Sequence, residues 1–249
     1  MRVSRGACAR GWLLGLALAL ACTDDGGSDG VDDASDEPPW PLPRTCVPPP
    51  GMGSPVDIEE LVALVDALPK PTSLACVLES LDRPLSLYAS SSVAGAQPAL
   101  GIDNPRLFLL TGDLTLSMTL HGTHEVLEIA QAIGDRRSIK AELLFPVDEP
   151  LAPSAPYDAV AFGSNGTACG LCHGEETRVA EIDYTTAWAS DAYQDDPEQT
   201  VSVSFLRQHA IECDHEANAR RCERLDALFG HGEVVQGDLD RESLICHPF

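Results

Sequence analysis

Residues 169–173 read Cys-Gly-Leu-Cys-His, with Ala168 before them and Gly174 after. Two thiols three residues apart and an imidazole directly behind them can do several kinds of chemistry. They can hold a covalent haem: thiols on one short turn reach the two vinyl groups along one porphyrin edge, and the next imidazole lies beneath the iron as axial ligand. They can hold zinc, with Cys169, Cys172, His173 or His209, and Cys213 as ligands. They can also be structural, with Cys169 and Cys172 pairing outward to Cys213 and Cys222 and His173 incidental. A thioredoxin-type redox pair would need the Cys-x-x-Cys between a strand and a helix of a βαβ unit. The sequence ahead of it reads as an antiparallel sheet.

Other chemistry is thin. "GTACGLCHG" lacks the lysine of a phosphate loop, and Gly163-Ser164-Asn165-Gly166 lacks the spacing of a nucleophile elbow. His121-Gly-Thr-His124 is not the H-x-x-x-H of a helical zinc site and reads as the loop at a hairpin end. Glu175-Glu176 and Asp195-Asp196 read as solvated loop acids. A formal charge of −23 argues against nucleic acid, whose backbone needs Lys and Arg to neutralise it. These features fit an electron carrier or a binding protein better than an enzyme.

The positioning elements begin with an address. Arg2, Arg5 and Arg10 precede an apolar run from Trp12 to Ala21 that is too short to span a bilayer comfortably. The run ends Leu20-Ala21-Cys22 and resembles the lipobox of bacterial lipoproteins, with Ala19 where leucine is commoner. That resemblance implies cleavage before Cys22, lipid on its thiol and attachment to an envelope membrane, on the periplasmic or surface side. An ordinary signal peptide cut after Ala21 is the plainer alternative. Removing residues 1–21 takes away three arginines and no acid, so the mature chain is more acidic still.

Cys8 leaves with the signal and Cys22 is the lipid site. Cys46, Cys76, Cys169, Cys172, Cys213, Cys222 and Cys246 are left in an oxidising compartment. Seven is odd, and haem attachment would leave five, also odd, so the count does not decide between the readings. Residues 22–55 form an acidic, Pro/Gly-rich tether with seven acids before its prolines and too little apolar surface to fold. Asp57 and Glu60 have capping-box spacing ahead of an apolar stripe at Ile58, Leu61, Val62, Val65 and Leu68, which predicts a helix stopped by Pro69. A second helix is expected over 73–81.

The period then changes to two. Strands are expected over 84–92, over 106–120 as a hairpin turning at Thr111-Gly112-Asp113, and over 138–147; residues 124–133 fit helix or strand. Residues 197–212 and 216–229 read as two helices, and a Cys213–Cys222 disulfide would staple them. The expected fold is α+β. An antiparallel β-rich middle domain, sheet or sandwich, spans 56–163, and a small helical, cysteine-containing module spans 164–249.

The motif, continuing into Gly174, resembles the attachment site of c-type cytochromes. The resemblance covers about six residues. It implies thioether bonds at Cys169 and Cys172, His173 on the iron, and electron transfer through haem c. The chain departs from that family in two ways. "AFGSNGTA" ahead of Cys169 reads as a loop where small cytochromes have a helix, and no methionine follows the motif. A sixth ligand would then be a histidine, with His209 on the expected 197–212 helix as first choice, or the haem would be five-coordinate. The low aromatic content suits the disulfide alternative, a stapled binding or structural lipoprotein without cofactor. The whole order of lipobox, acidic tether, "VDALP", "CGLCHGEE" and "RRCERLDALFGHGEV" resembles bacterial envelope lipoproteins, some carrying a cytochrome c-like domain. A basic redox partner, steered by the acidic surface, is the expected partner protein.

Overall fold

The protein is described by a computed structural model over residues 40–122, 125–134, 136–193 and 196–239. The leader, Cys22, most of the tether, His124, Asp195 and Cys246 lie outside the described residues. The described residues form one compact unit.

The fold is α+β around one eight-stranded sheet. Its strands are β1 (Leu85–Ser90), β2 (Arg106–Thr111), β3 (Leu114–Thr119), β4 (Glu125–Ala132), β5 (Arg137–Phe145), β6 (Thr177–Val179), β7 (Ala187–Asp191) and β8 (Val234–Gln236). Their order is β6-β7-β5-β4-β3-β2-β1-β8. Every pairing is antiparallel except β1 with β8. The ambiguous 124–133 segment is strand β4. Strands β6, β7 and β8 all come from the C-terminal third of the chain. Each has three to five residues, too few to show a period in sequence.

Gly112 makes the β2–β3 turn at φ +54°, and a Cβ there would strike Val56. That position therefore needs glycine twice over.

Side-chain alternation gives the sheet two unlike faces. On one face Leu87, Leu109, Leu116, Ile129 and Ala141 stand in register across five strands. They share a core with α1 (Ile58–Ala67), α2 (Leu74–Ser80) and α6 (His215–Phe229). The other face carries the row Tyr88, Phe108, Ser117, Glu128 and Glu142. This second face is largely covered too: Arg106 and Lys140 are each 4% exposed.

The helices start where the sequence provides caps. Asp57 accepts from the Glu60 amide at 2.8 Å, and Glu60 in turn accepts from the Val56 amide at 3.0 Å. Ser73 caps α2 through the Cys76 amide at 3.1 Å. Asp214 caps α6 through the amides of Glu216 and Ala217. A short 3₁₀ turn over Pro197–Gln199 precedes α5 (Val203–Ile211).

Two disulfides close the fold. Cys213–Cys222 staples α5 to α6 as expected, and Cys46–Cys76 fastens the end of the tether to α2. Glu79 reinforces the second fastening, accepting from the Cys46 amide at 2.7 Å and from Thr45 Oγ1 at 3.0 Å. The Cys213–Cys222 loop spans nine residues of separation. In the chain-entropy picture its closure contributes about 2.7 kcal/mol. A Cys213→Ala/Cys222→Ala variant is expected to lose about that much stability in urea unfolding while keeping the far-UV spectrum.

Candidate functional site

The motif sits at the edge of the second sheet face, on a loop tied down from both sides. Helix α3 (Ala155–Val160) ends at Ala161, and the chain doubles back through an Ala161–Thr167 bridge. The Phe162 amide donates to the Gly166 carbonyl at 3.0 Å, and the Ala168 amide to the Val160 carbonyl at 2.9 Å. Glu176 then closes the loop: its carboxylate accepts from the Thr167 amide at 2.8 Å and from Thr167 Oγ1 at 2.5 Å. Gly166 and Gly170 lie so close to this carboxylate that a Cβ at either would overlap it. Glu176 is thus a structural clamp, not the solvated loop acid its sequence neighbours suggest.

Arg137 holds the far side. It donates to the carbonyls of Glu175 at 2.8 Å and Ala189 at 2.6 Å, to Thr177 Oγ1 at 2.8 Å and to Asp191 at 3.1 Å.

The motif forms a single helical turn, α4 (Gly170–His173). The amides of Cys172 and His173 donate to the Cys169 carbonyl at 3.0 and 2.9 Å. Positions i, i+3 and i+4 of a helical turn share one side, so Cys169, Cys172 and His173 are brought together as the spacing requires. Both cysteines are free thiols. Cys169 is half-buried, and burial pushes its thiol pKa up against the opposing pull of a Thr167 hydrogen bond. Cys172 is exposed.

The imidazole of His173 is half-buried and its pKa is lowered to about 4. Burial is the main cause and the Lys140 ammonium the next; Glu128 and a bond to the Asp191 backbone oppose them. Burial keeps the ring neutral at physiological pH, so one of its nitrogens carries a lone pair.

Beneath the turn the sheet presents charge. Arg106 donates to the Gln97 carbonyl at 2.5 Å and Ser117 Oγ at 2.7 Å, and pairs with Glu128. Lys140 donates to Ser138 Oγ at 2.8 Å and to the Asp191 carbonyl at 3.0 Å. Glu142 has its carboxyl pKa raised by burial and then by Glu128. The apolar surface lies instead on the outer side. There Phe162 and Leu171, 63% and 78% exposed, line an open pocket of about 310 Å³ with Thr167 and Glu176. The sequence had not marked Arg106, Glu128, Lys140 or Asp191. The alternation in "SIKAELLF" does put Lys140 and Glu142 on the polar face, but it cannot say what covers that face.

His209 is placed elsewhere. It stacks on Phe205 with ring centroids 4.2 Å apart, and its Nε2 lies 3.8 Å from Asp103. These neighbours share no member with the surroundings of His173. His215 and His231 likewise face Asp226 and Glu79. Met118 is fully buried. The zinc set loses Cys213 to its disulfide, and among the described residues no group of three or more His, Cys, Asp or Glu could hold a metal ion. The outward pairing of Cys169 and Cys172 with Cys213 and Cys222 is likewise not formed, because the latter two bond each other.

A pH dependence follows from His173. Its folded pKa lies below the unfolded value of about 6.5, so the folded state binds fewer protons between the two values and loses stability as pH falls from about 6.5 towards about 4. For the haem-free protein we expect a loss of about 1 kcal/mol between about pH 7 and about pH 5, discounted for the partial exposure of the ring. Urea midpoints of wild type and His173→Gln should differ in slope across that window, and parallel curves would count against the assignment.

Comparison with protein-family models, curated proteins and solved structures returned no match.

Proposed function

We propose that the protein is an envelope lipoprotein, anchored through Cys22, that carries one covalent c-type haem on Cys169 and Cys172 with His173 on the iron, for electron transfer. One observation carries this reading. Among the described cysteines four are paired in disulfides, and the two left as thiols are the two that haem attachment requires.

The surroundings support it. The helical turn presents both thiols on the side of His173. The imidazole is neutral, the protonation state in which a histidine binds a metal. The wall on the sheet side, by contrast, is charged, with Arg106, Glu128 and Lys140 near His173.

Each thiol would add across one vinyl group, sulfur to one carbon and hydrogen to the other, with no oxidant consumed. The bound iron would supply a one-electron couple. No second axial ligand is assigned: His209 is engaged with Asp103 and Phe205. A net charge of −23 suits a basic redox partner.

The test is a pyridine haemochrome spectrum with intact mass on exported protein. A covalent haem supports the reading. Absence of a Soret band, with Cys169 and Cys172 found oxidised, overturns it in favour of a disulfide-stapled binding or structural lipoprotein. For the anchor, Cys22→Ala is expected to move the protein from the membrane to the soluble fraction, and continued membrane retention counts against lipidation.

A further inference from the structure

The chain holds three asparagines, Asn104, Asn165 and Asn218. An asparagine can lose its side-chain amide to its own backbone, when the nitrogen of the next residue attacks the side-chain carbonyl and closes a five-membered ring. Asn104 precedes Pro105, whose nitrogen has no hydrogen to lose. Asn218 lies within α6 and precedes Ala219, whose Cβ crowds the ring. Asn165 precedes Gly166, which has no Cβ. Asn165 is exposed, in the loop closed by the bond from the Phe162 amide to the Gly166 carbonyl, and it lines the open pocket beside Phe162 and Leu171. Among the described residues the Gly166 amide donates no hydrogen bond, so its nitrogen gives up no acceptor when it turns on the side chain. The fold itself requires glycine there, because a Cβ would overlap the Glu176 carboxylate that clamps Thr167. The clamp that fixes the loop therefore keeps an Asn-Gly pair in it.

We propose that Asn165 is a site of spontaneous covalent modification, converted through a succinimide to isoaspartate and aspartate, and that the conversion loosens the loop carrying Cys169 and Cys172. The Gly166 nitrogen loses its proton to hydroxide and bonds to Asn165 Cγ. The Cγ–Nδ2 bond breaks, and ammonia leaves with a proton from water, which restores the hydroxide. Water then opens the ring at one of its two carbonyls. Opening at Cγ gives aspartate. Opening at the main-chain carbon gives isoaspartate, with the chain now running through the side chain. No electron is transferred, and water is the only co-reactant. Isoaspartate adds one atom to the main chain directly before Gly166, whose carbonyl accepts from Phe162 at 3.0 Å. The next residue is Thr167, whose amide and hydroxyl hold Glu176 and whose hydroxyl also accepts from the Cys169 amide at 3.1 Å. Both products place a new carboxylate on the pocket that Glu176 lines, and like charges at short range repel. Neither cysteine takes part, so the inference stands apart from the haem reading.

The experiment ages the full-length protein in mildly alkaline buffer. It follows ammonia release, the mass of the peptide containing residue 165, and methyl transfer from labelled S-adenosylmethionine by an isoaspartyl methyltransferase. The expected result is loss of the Asn165 amide with isoaspartate at that position, while Asn104 and Asn218 stay intact. Asn165→Gln, which would need a six-membered ring, is expected to lose the methylation signal. Hydrogen exchange of the aged wild type should show the amides of Phe162, Thr167 and Ala168 losing protection while those of α1 keep theirs. Aged wild-type protein that keeps its Asn165 amide overturns the proposal, and loss of that amide from the urea-unfolded chain alone would show that the fold protects it. Isoaspartate at Asn104 or Asn218 with Asn165 intact overturns it too. Modification at Asn165 with unchanged exchange at Thr167 and Ala168 overturns the link to the motif loop. Equal loss of protection in aged Asn165→Gln does the same, because ageing and not the modification would be the cause. None of these readouts involves haem, so failure of the haem reading leaves the test intact.

Discussion

On the haem reading proposed above, Cys169→Ala/Cys172→Ala is expected to abolish covalent haem completely and leave the fold almost untouched. Neither cysteine is in a disulfide, Cys172 is exposed and Cys169 is half-buried, so stability should change by less than about 1 kcal/mol. The loop keeps its shape through Glu176 and Arg137, which hold Thr167, Thr177 and the backbone on either side of the motif. Each single variant should retain one thioether and a weaker attachment. The double variant should lose the haem band from denaturing gels and the haemochrome spectrum while its thermal transition stays near wild type. A double variant that unfolds would assign the thiols a packing role, and one that keeps covalent haem would place the attachment elsewhere.

Arg83→Met is expected to be the most damaging single substitution away from the motif, at about 3 kcal/mol. Arg83 joins the C-terminal ends of two helices. Its guanidinium donates to the carbonyls of Leu81 at 2.8 Å and Leu78 at 3.4 Å around the end of α2, and of Ala227 at 2.8 Å and Leu228 at 3.4 Å near the end of α6. Those carbonyls lack partners within their helices and carry the negative end of each helix dipole. Burial is costly to the cation: its pKa is lowered to about 10, by burial first and by Arg44 second, yet it stays charged at neutral pH. Removing it leaves several carbonyls unpaired in the seam between α2 and α6. Arg83→Lys should recover little, because a single ammonium cannot reach both helix ends as the planar fork does. Urea unfolding of the three proteins checks this, and a Met variant within about 1 kcal/mol of wild type would show that water satisfies those carbonyls equally well.

The site and its frame differ in how far the sequence exposed them. "CGLCH" is a local motif, and its spacing alone places three side chains on one side of a helical turn. The stripe from Ile58 to Leu68 and the alternation from Leu114 to Leu120 are equally local, and both became the elements they implied. The Cys213–Cys222 staple could be read because Cys213 follows the end of α5 and Cys222 lies on the next helix, α6.

Glu176 could not be read in this way. Its partner Thr167 is nine residues away across a loop, and nothing in "HGEET" separates a clamp from a solvated acid. The same holds for β8, a three-residue strand whose place beside β1 is fixed by a pairing across most of the chain.

By itself the sequence determined the element types through hydrophobic period, the start of α1 through its cap, and the chemistry offered by Cys169, Cys172 and His173. Only the tertiary structure decided which cysteines find sulfur partners, since a disulfide needs two backbones a few ångströms apart and spacing along the chain does not report that. It also decided what His173 meets. Alternation in β4 and β5 puts Glu128, Lys140 and Glu142 on one face, but period two says only that they share a side. The loop carrying the motif folds over that side, and its burial turns a row of polar residues into the charged surroundings of a neutral imidazole.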